Sequence, residues 1–231
     1  MDKVNVLIVR FCNEIGREEV PQFRGAVNAA IEDADVLFHN HLEDDRLRYA
    51  YPLVQYKRIN GRAAIVCLGE GTEAIGQFFA QAQFDVILGE RPVHLEVESM
   101  KAYSVLVQPW EGQFTYRIRR WLPLNRENYE AYCREDSLAA RCLLLERLLT
   151  ANILSFAKGL GIHFDKTVTV TLTNISDPMG LYYKGVKLVG FDAEFKTNVS
   201  LPDYIGLGKG VSLGMGTVKS IDNNNNQIIT E

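Results

Sequence analysis

The segment LVQYKRINGRAAIVCL (Leu53–Leu68) decides the first half of the fold. Two runs of mostly apolar residues flank Asn60-Gly61, the strongest short-range signal for a β-hairpin. Before the hairpin, Val4–Phe11 is apolar and rich in β-branched residues, which predicts a strand. Between that strand and the hairpin, apolar residues three or four apart predict a helix that starts near Val20 and ends near Ala34.

Beyond the hairpin, Gly71–Gln83 has the spacing of a second amphipathic helix, and Val93–Val107 predicts further strand. The resulting order, β-α-β-β-α-β, is that of a ferredoxin-like unit. The chain has 231 residues, which leaves room for a second unit of similar size.

The second half repeats the pattern incompletely, because a second helix is missing from it. Its predicted elements are a strand at Tyr116–Leu122, a short helix at Asn125–Arg134, a long helix capped by Asp136 and ending at Gly159 or Gly161, and strands at Thr167–Thr173 and within Gly185–Asn198. The prediction is an α+β protein of two tandem ferredoxin-like (RRM-like) units with antiparallel sheets and helices on one face. We place the domains at 1–110 and 111–220, with a flexible tail at 221–231.

The composition of the chain argues against several classes of protein. With 47% hydrophobic and 23% charged residues the chain is globular. No apolar run reaches the roughly 18 residues that cross a bilayer. The first residues lead directly into the predicted strand, so we do not expect them to be a signal peptide. The four cysteines lack metal-site spacing and lie among apolar neighbours, so reduced core thiols and a cytoplasmic location are expected. The net charge of −4 excludes a globally basic nucleic-acid binder but allows a local basic surface.

Two histidines are candidates for acid–base chemistry. His39 and His41 stand in FHNH (38–41), and residues two apart in an extended segment project to the same side. Imidazoles titrate near pH 6.5, which suits proton transfer at neutral pH. The alternative is a pair of loop or capping histidines.

Basic and aromatic residues interleave in two stretches that lack acidic residues, Arg46–Arg62 and Arg117–Arg126. This pattern is typical of surfaces that stack bases and neutralise phosphates, and the alternative is a strand with solvated cations. The candidate nucleic-acid-binding residues in these stretches are Arg48, Tyr51, Lys57, Arg58, Arg117 and Arg119.

A glycine-rich loop at 206–216 is the sharpest signal. It contains Gly206, Gly208, Gly210, Gly214 and Gly216, with Lys209 and Ser212 between them. Glycine lets a backbone approach a phosphate closely, and Lys209 adds positive charge. The loop matches neither nucleotide-binding fingerprint, GxxxxGK[ST] or GxGxxG.

FKTNVSLPDYIGLGKGVSLGMGTV (195–218) resembles the C-terminal signature of the CRISPR-associated endoribonucleases that process repeat RNA. FRGA (23–26), FHNH (38–41) and YPLVQYK (51–57) resemble a bacterial and archaeal branch of that family. The resemblance runs from Arg24 to Val218. It implies two ferredoxin-like halves and metal-independent cleavage within each CRISPR repeat, in which a ribose 2′-hydroxyl attacks the adjacent phosphate.

By this resemblance His39 and His41 are the acid and base candidates, Tyr49 is a third participant with Tyr51 as its rival, and Lys57 is a candidate for stabilising the transition-state charge. The five glycines of the loop, with Lys209 and Ser212, would hold RNA backbone. No metal or cofactor is expected.

The expected partner is CRISPR repeat RNA, and other effector subunits or a second copy of the chain are further candidates. A noncatalytic repeat-RNA-binding subunit of an effector complex is the alternative function. A ferredoxin-like binder of small ligands accounts less well for the basic stretches and the glycines.

Overall fold

The computed structural model describes residues 3–30, 51–81, 84–221 and 229–230. Over these ranges the chain divides into two compact units. The N-terminal unit is Lys3–Val105, to which Ser212–Gly214 also belong, and the C-terminal unit begins at Leu106. The predicted division at residue 110 falls inside a strand that starts at Pro109. No helix in the described ranges is long and apolar enough to span a membrane.

The N-terminal unit has the predicted ferredoxin-like order with one added hairpin. Its elements are β1 (Lys3–Glu14), α1 (Val20–Ala29), β2 (Val54–Ile59), β3 (Arg62–Leu68), α2 (Gly71–Gln81), β4 (Asp85–Leu88), β5 (Arg91–His94) and β6 (Val97–Leu106). The main sheet has the strand order β12-β6-β1-β3-β2, in which β12 is Ile229–Thr230, and β4 and β5 form a separate two-stranded ribbon. Helix α1 ends at Ala29, five residues before its predicted end.

The Asn60-Gly61 hairpin is confirmed. Asn60 has φ +52° and Gly61 has φ +90°, the left-handed pair that a type I′ turn requires. This turn aligns Ile59 with Arg62 and Tyr56 with Ile65. Tyr56 therefore joins the core beneath α1, where its ring lies 5.8 Å from that of Phe23 in an edge-to-face contact.

The C-terminal unit repeats the strand order without the second helix. Its elements are β7 (Pro109–Trp121), α3 (Arg126–Arg134), α4 (Leu138–Gly159), β8 (Val170–Ile175), β9 (Met179–Tyr183), β10 (Val186–Val199), a 3-10 turn (Val211–Leu213) and β11 (Thr217–Ser220). The sheet order β11-β7-β10-β8 is that of a ferredoxin-like unit, with β9 paired to the first half of β10. The glycine-rich loop occupies the place of the second helix.

Helix α4 covers the inner face of this second sheet. Its residues Leu145, Leu149, Ile153 and Phe156 are buried at helical spacing, as the sequence predicts. Glu146 also protects the exposed edge of the sheet, since its Oε1 accepts a hydrogen bond of 2.8 Å from the backbone N–H of Leu172 in β8.

Two predicted details are wrong. Ser137 rather than Asp136 caps α4, because the Ser137 Oγ accepts a hydrogen bond of 3.1 Å from the Ala140 N–H. Of the four free cysteines only Cys67 is buried; Cys12 and Cys133 are exposed. The flexibility of the tail 221–231 stays a prediction.

We expect Ser137→Ala to destabilise the C-terminal unit by about 1 kcal/mol, because the substitution removes the only side-chain acceptor that this helix end shows. Asp136→Ala is the matched control and should change stability by less than about 0.5 kcal/mol. Urea unfolding monitored by far-UV circular dichroism measures both. Equal effects of the two substitutions would contradict the observed cap.

Candidate RNA-binding and catalytic site

The site predicted from the sequence falls into three parts. His39, His41, Arg48 and Tyr49 lie outside the described residues, so the catalytic assignments stay predictions. Strand β2 and the residues just before it carry Tyr51, Lys57 and Arg58. The C-terminal unit carries Arg117, Arg119 and most of the glycine-rich loop.

Tyr51 is held by a neighbouring side chain. Gln55 is fully buried, and its Nε2 donates hydrogen bonds to the Tyr51 hydroxyl oxygen at 2.9 Å and to the Pro52 carbonyl at 3.0 Å. The hydroxyl oxygen of Tyr51 thus accepts a hydrogen bond from the protein. This arrangement gives the ring a defined position at the start of β2.

Lys57 and Arg58 point to opposite faces of β2 because successive side chains alternate across a sheet. Arg58 is exposed at its end and its Nε donates to the Ile15 carbonyl oxygen at 2.6 Å. Lys57 is completely buried, and burial lowers its pKa from 10.5 to about 7. The Lys57 amino group does not reach solvent in this structure. Its role in stabilising the charge of the transition state stays a prediction.

Arg117 and Arg119 lie on one face of β7, as the alternation predicts, but both have acidic partners. Arg117 Nε and Nη2 approach Glu194 Oε1 at 3.0 and 2.8 Å, and Arg119 Nη1 approaches Asp192 Oδ2 at 2.5 Å. The acids come from β10, about 75 positions along the chain. Exposed ion pairs contribute only about 0–1 kcal/mol, so a phosphate can replace the carboxylate at little cost.

The same face carries two cations that the sequence analysis missed. Lys219 on β11 is aligned with Arg117, and its Nζ lies 5.6 Å from the centre of the Tyr204 ring. Lys196 on β10 is aligned with Thr115 of β7. Only the strand register identifies these neighbours, since both lysines are isolated in sequence.

Close packing accounts for several glycines of the loop. A Cβ at Gly216 would overlap the Leu207 carbonyl oxygen, and one at Gly208 would lie 3.0 Å from the Leu122 carbonyl oxygen. At Gly210 it would lie 2.9 Å from the Tyr183 ring. Substituting these positions therefore perturbs the fold as well as any ligand contact.

Buried apolar side chains within the loop and on either side of it anchor the loop, and Lys209 is exposed among them. These anchors are Ile205, Leu207, Val211, Met215 and Val218. The Lys209 N–H donates to the Leu122 carbonyl at 3.1 Å and the Gly216 N–H to the Arg120 carbonyl at 3.0 Å. Among the described residues, the backbone N–H groups of Gly208 and Gly210 donate no hydrogen bond.

The remaining loop positions are less exposed than Lys209. Gly206 is buried and forms an isolated bridge with Thr217, while Ser212 and Gly214 are half-buried and group with the N-terminal unit.

A basic, aromatic hairpin adjoins the loop. Strands β9 and β10 meet at Lys184-Gly185, and residues 178–191 contain no acidic side chain. Tyr182 is 67% exposed, and Lys184 Nζ lies 5.8 Å from the centre of the Tyr183 ring. The absence of acids was the sequence signal that could have identified this hairpin as a candidate binding element.

No group of three His, Cys, Asp or Glu side chains within 3–30, 51–81 and 84–221 is placed to hold a metal ion. Metal-independent chemistry remains a prediction.

The chain is a tandem ferredoxin-like protein, because it has two successive ferredoxin-like units. A glycine-rich loop replaces the last helix of the second unit. A family model of the Cas6b N-terminal domain matches residues 2–105, and one of the Cas6b C-terminal domain matches residues 108–221. The chain therefore belongs to the Cas6b family.

Known relatives agree with this membership. A crystal structure of Cas6b is 25% identical with a TM-score of 0.86, over 95% of this chain and 100% of that one. A second structure, of the CRISPR RNA processing endoribonuclease Cas6b, is 24% identical with a TM-score of 0.71 at the same coverage. A protein of Methanocaldococcus jannaschii, described as uncharacterized, is 35% identical over 113 residues, which are 48% of this chain and 76% of the relative.

The burial of Lys57 predicts a particular pH dependence. The unfolded lysine binds a proton up to about pH 10, whereas the folded one releases it near pH 7. Between these values the unfolded state binds more protons, so the stability of the wild type rises with pH. Relative to Lys57→Met, we expect the wild type to gain about 1 kcal/mol per pH unit from pH 7.5 to 9.

Urea unfolding of both proteins across this range measures the difference. Gln55→Met is the matched control, because Gln55 is also fully buried in β2 but does not titrate. A difference between wild type and Lys57→Met that is independent of pH would mean that the folded protein keeps Lys57 charged.

Proposed function

We propose that this protein is a metal-independent endoribonuclease that cleaves CRISPR repeat RNA within the precursor transcript and so produces guide RNA. The observation that carries the proposal is the match to both Cas6b domain models over residues 2–105 and 108–221. The relative whose structure is described as a CRISPR RNA processing endoribonuclease supports the substrate class.

The proposed reaction is a transesterification. The ribose 2′-oxygen forms a bond to the adjacent phosphorus while the bond from phosphorus to the 5′-oxygen breaks. A base takes the 2′-hydroxyl proton and an acid protonates the leaving 5′-oxygen. The products are a 2′,3′-cyclic phosphate and a 5′-hydroxyl end.

We assign the acid and base roles to His39 and His41, with Tyr49 as the third participant and Tyr51 as its rival. The Gln55 hydrogen bond to the Tyr51 hydroxyl supports a positioned phenol in this segment. Comparing Tyr49→Phe with Tyr51→Phe separates the two tyrosines, since only the participating hydroxyl affects the rate constant of cleavage.

RNA binding is assigned to the exposed cations and the glycine-rich loop. The ammonium of Lys209 and the neighbouring N–H groups of Gly208 and Gly210 form a site suited to a phosphate. Arg117, Arg119, Lys196 and Lys219 supply charge on the sheet of the same unit.

The first experiment incubates the protein with end-labelled repeat RNA from its own locus in excess EDTA. A parallel substrate carries 2′-deoxyribose just upstream of the cleavage position. We expect cleavage of the first substrate only, with a cyclic phosphate on the product. Tight binding without cleavage would instead support the noncatalytic subunit of an effector complex.

In that assay His39→Ala and His41→Ala should each lower the single-turnover rate constant by about 10²–10⁴-fold and leave RNA affinity unchanged. His94→Ala is the control, because His94 is exposed on the β4–β5 ribbon and pairs with Asp85 at 2.9 Å. An affinity loss as large as the rate loss would make the two histidines RNA-positioning residues.

The arginines of β7 should act through phosphate contacts. We expect Arg117→Gln and Arg119→Gln each to lower the slope of log affinity against log salt by about 1. Glu194→Gln should strengthen RNA binding, because it releases Arg117 from its carboxylate.

Filter binding of uncleavable repeat RNA measures these slopes. The salt concentration runs from about 50 to about 300 mM, roughly the range over which phosphate contacts change affinity strongly. Arg126→Gln is the control, since Arg126 is a largely exposed arginine on α3 whose partner is Glu130 four residues on. If Arg117→Gln and Arg119→Gln have the same slope as Arg126→Gln, the β7 arginines form solvated ion pairs and do not contact phosphates.

A further inference from the structure

A cavity of about 610 Å³ lies in the C-terminal unit at the end of α4. Residues 150–158 near the end of the helix form one wall, and the segment 162–168 that follows the helix forms the other. This volume is within the range of about 300–1,000 Å³ of small-molecule sites. The cavity includes none of the residues that the proposed cleavage uses.

Both ends of the 162–168 wall are fixed by hydrogen bonds. At the helix end, the Ile162 N–H donates to the Ala157 carbonyl at 2.9 Å and the Gly161 N–H to the Lys158 carbonyl at 3.1 Å. Gly161 has φ +73°, so this is a Schellman motif. At the far end, the Asn198 side chain accepts from the Thr169 N–H and donates to the Thr167 carbonyl, both at 2.9 Å.

The walls combine an apolar surface with positive charge. Five lining residues are apolar: Leu154, Ala157, Ile162, Phe164 and Val168. Leu154 is 46% exposed, which leaves a large apolar side chain in contact with water at the cavity. Lys158, His163 and Lys166 also line the cavity.

No acidic residue is among the ten that line it. Asp165 lies between two lining residues but is exposed and does not face the cavity. Charge complementarity therefore favours an anion, and the apolar wall favours one with a flat apolar body. A nucleotide has both properties, because a base stacks on aromatic rings and a phosphate pairs with lysines.

We propose that this cavity holds one unpaired nucleotide of the bound RNA, with its base against Phe164 and Leu154 and its phosphate beside Lys158 and Lys166. This proposal rests on the proposed RNA-processing function and adds a contact away from the cleavage residues. The hydroxyls of Thr150 and Thr167 line the cavity and can hydrogen bond to the base or ribose.

The test uses the full-length protein and repeat RNA made uncleavable by 2′-deoxyribose at the cleavage position. Leu154→Glu removes the apolar wall and repels phosphate, and its partial exposure lets the helix tolerate the change. We expect this variant to bind the RNA about tenfold more weakly. Leu143→Glu is the matched control, the same substitution on the same helix at a 60% exposed leucine outside the cavity.

A crosslinking arm locates the nucleotide. With 4-thiouridine in place of uridine in the same RNA, ultraviolet crosslinks should map by mass spectrometry to residues 162–168. Equal affinities of Leu154→Glu and Leu143→Glu, or crosslinks that avoid this segment, would overturn the proposal. A third outcome would also overturn the proposal. If adenosine and uridine monophosphates shift the NMR amide signals of 157–168 but Leu154→Glu leaves RNA affinity unchanged, the cavity holds free nucleotides and not a nucleotide of the bound RNA.

Cleavage of unmodified repeat RNA by the wild type is measured in parallel. If the wild type binds this RNA without cleaving it, the proposed enzyme fails and the leucine comparison still decides the cavity. If the wild type does not bind RNA, both proposals are overturned.

Discussion

The C-terminal unit depends on the close approach of two backbone segments at Gly216 and Leu207. No side chain fits between them, because a Cβ at Gly216 would overlap the Leu207 carbonyl oxygen. The Leu207 N–H donates to the Gly216 carbonyl at 2.9 Å across the same contact. This closure lets an eleven-residue loop replace a helix, and it brings β11 to the edge of the sheet beside β7.

Different atoms of the loop therefore serve packing and the proposed ligand binding. Its buried leucine, valine and methionine side chains and its closely packed glycines stabilise the fold. Among the described residues, the N–H groups of Gly208 and Gly210 donate no hydrogen bond, and these groups together with the exposed Lys209 side chain are the ones that we propose for phosphate binding. A glycine substitution therefore does not separate the packing of the loop from the proposed ligand contact.

Charge on the surface of the C-terminal unit is balanced locally. Arg117 and Arg119 stand in an acid-free stretch of sequence, yet Glu194 and Asp192 lie against them in the sheet. The pairs hold the guanidinium groups in defined positions, and their exposed setting makes them weak. This local balance of charge agrees with a net charge of −4.

Local sequence determined most of the secondary structure of this protein. Asn60-Gly61 specifies a type I′ turn, and the spacing of apolar residues specifies α4, because both signals depend on neighbouring residues alone. The order of the elements predicted in this way indicates ferredoxin-like units. The family signature in 195–218 and the candidate histidines were likewise readable from the sequence. Tertiary structure alone decided that Lys57 is buried while Arg58 is exposed, and that Arg117 faces Glu194. Burial and cross-strand contacts join residues far apart in sequence, so no local pattern contains them.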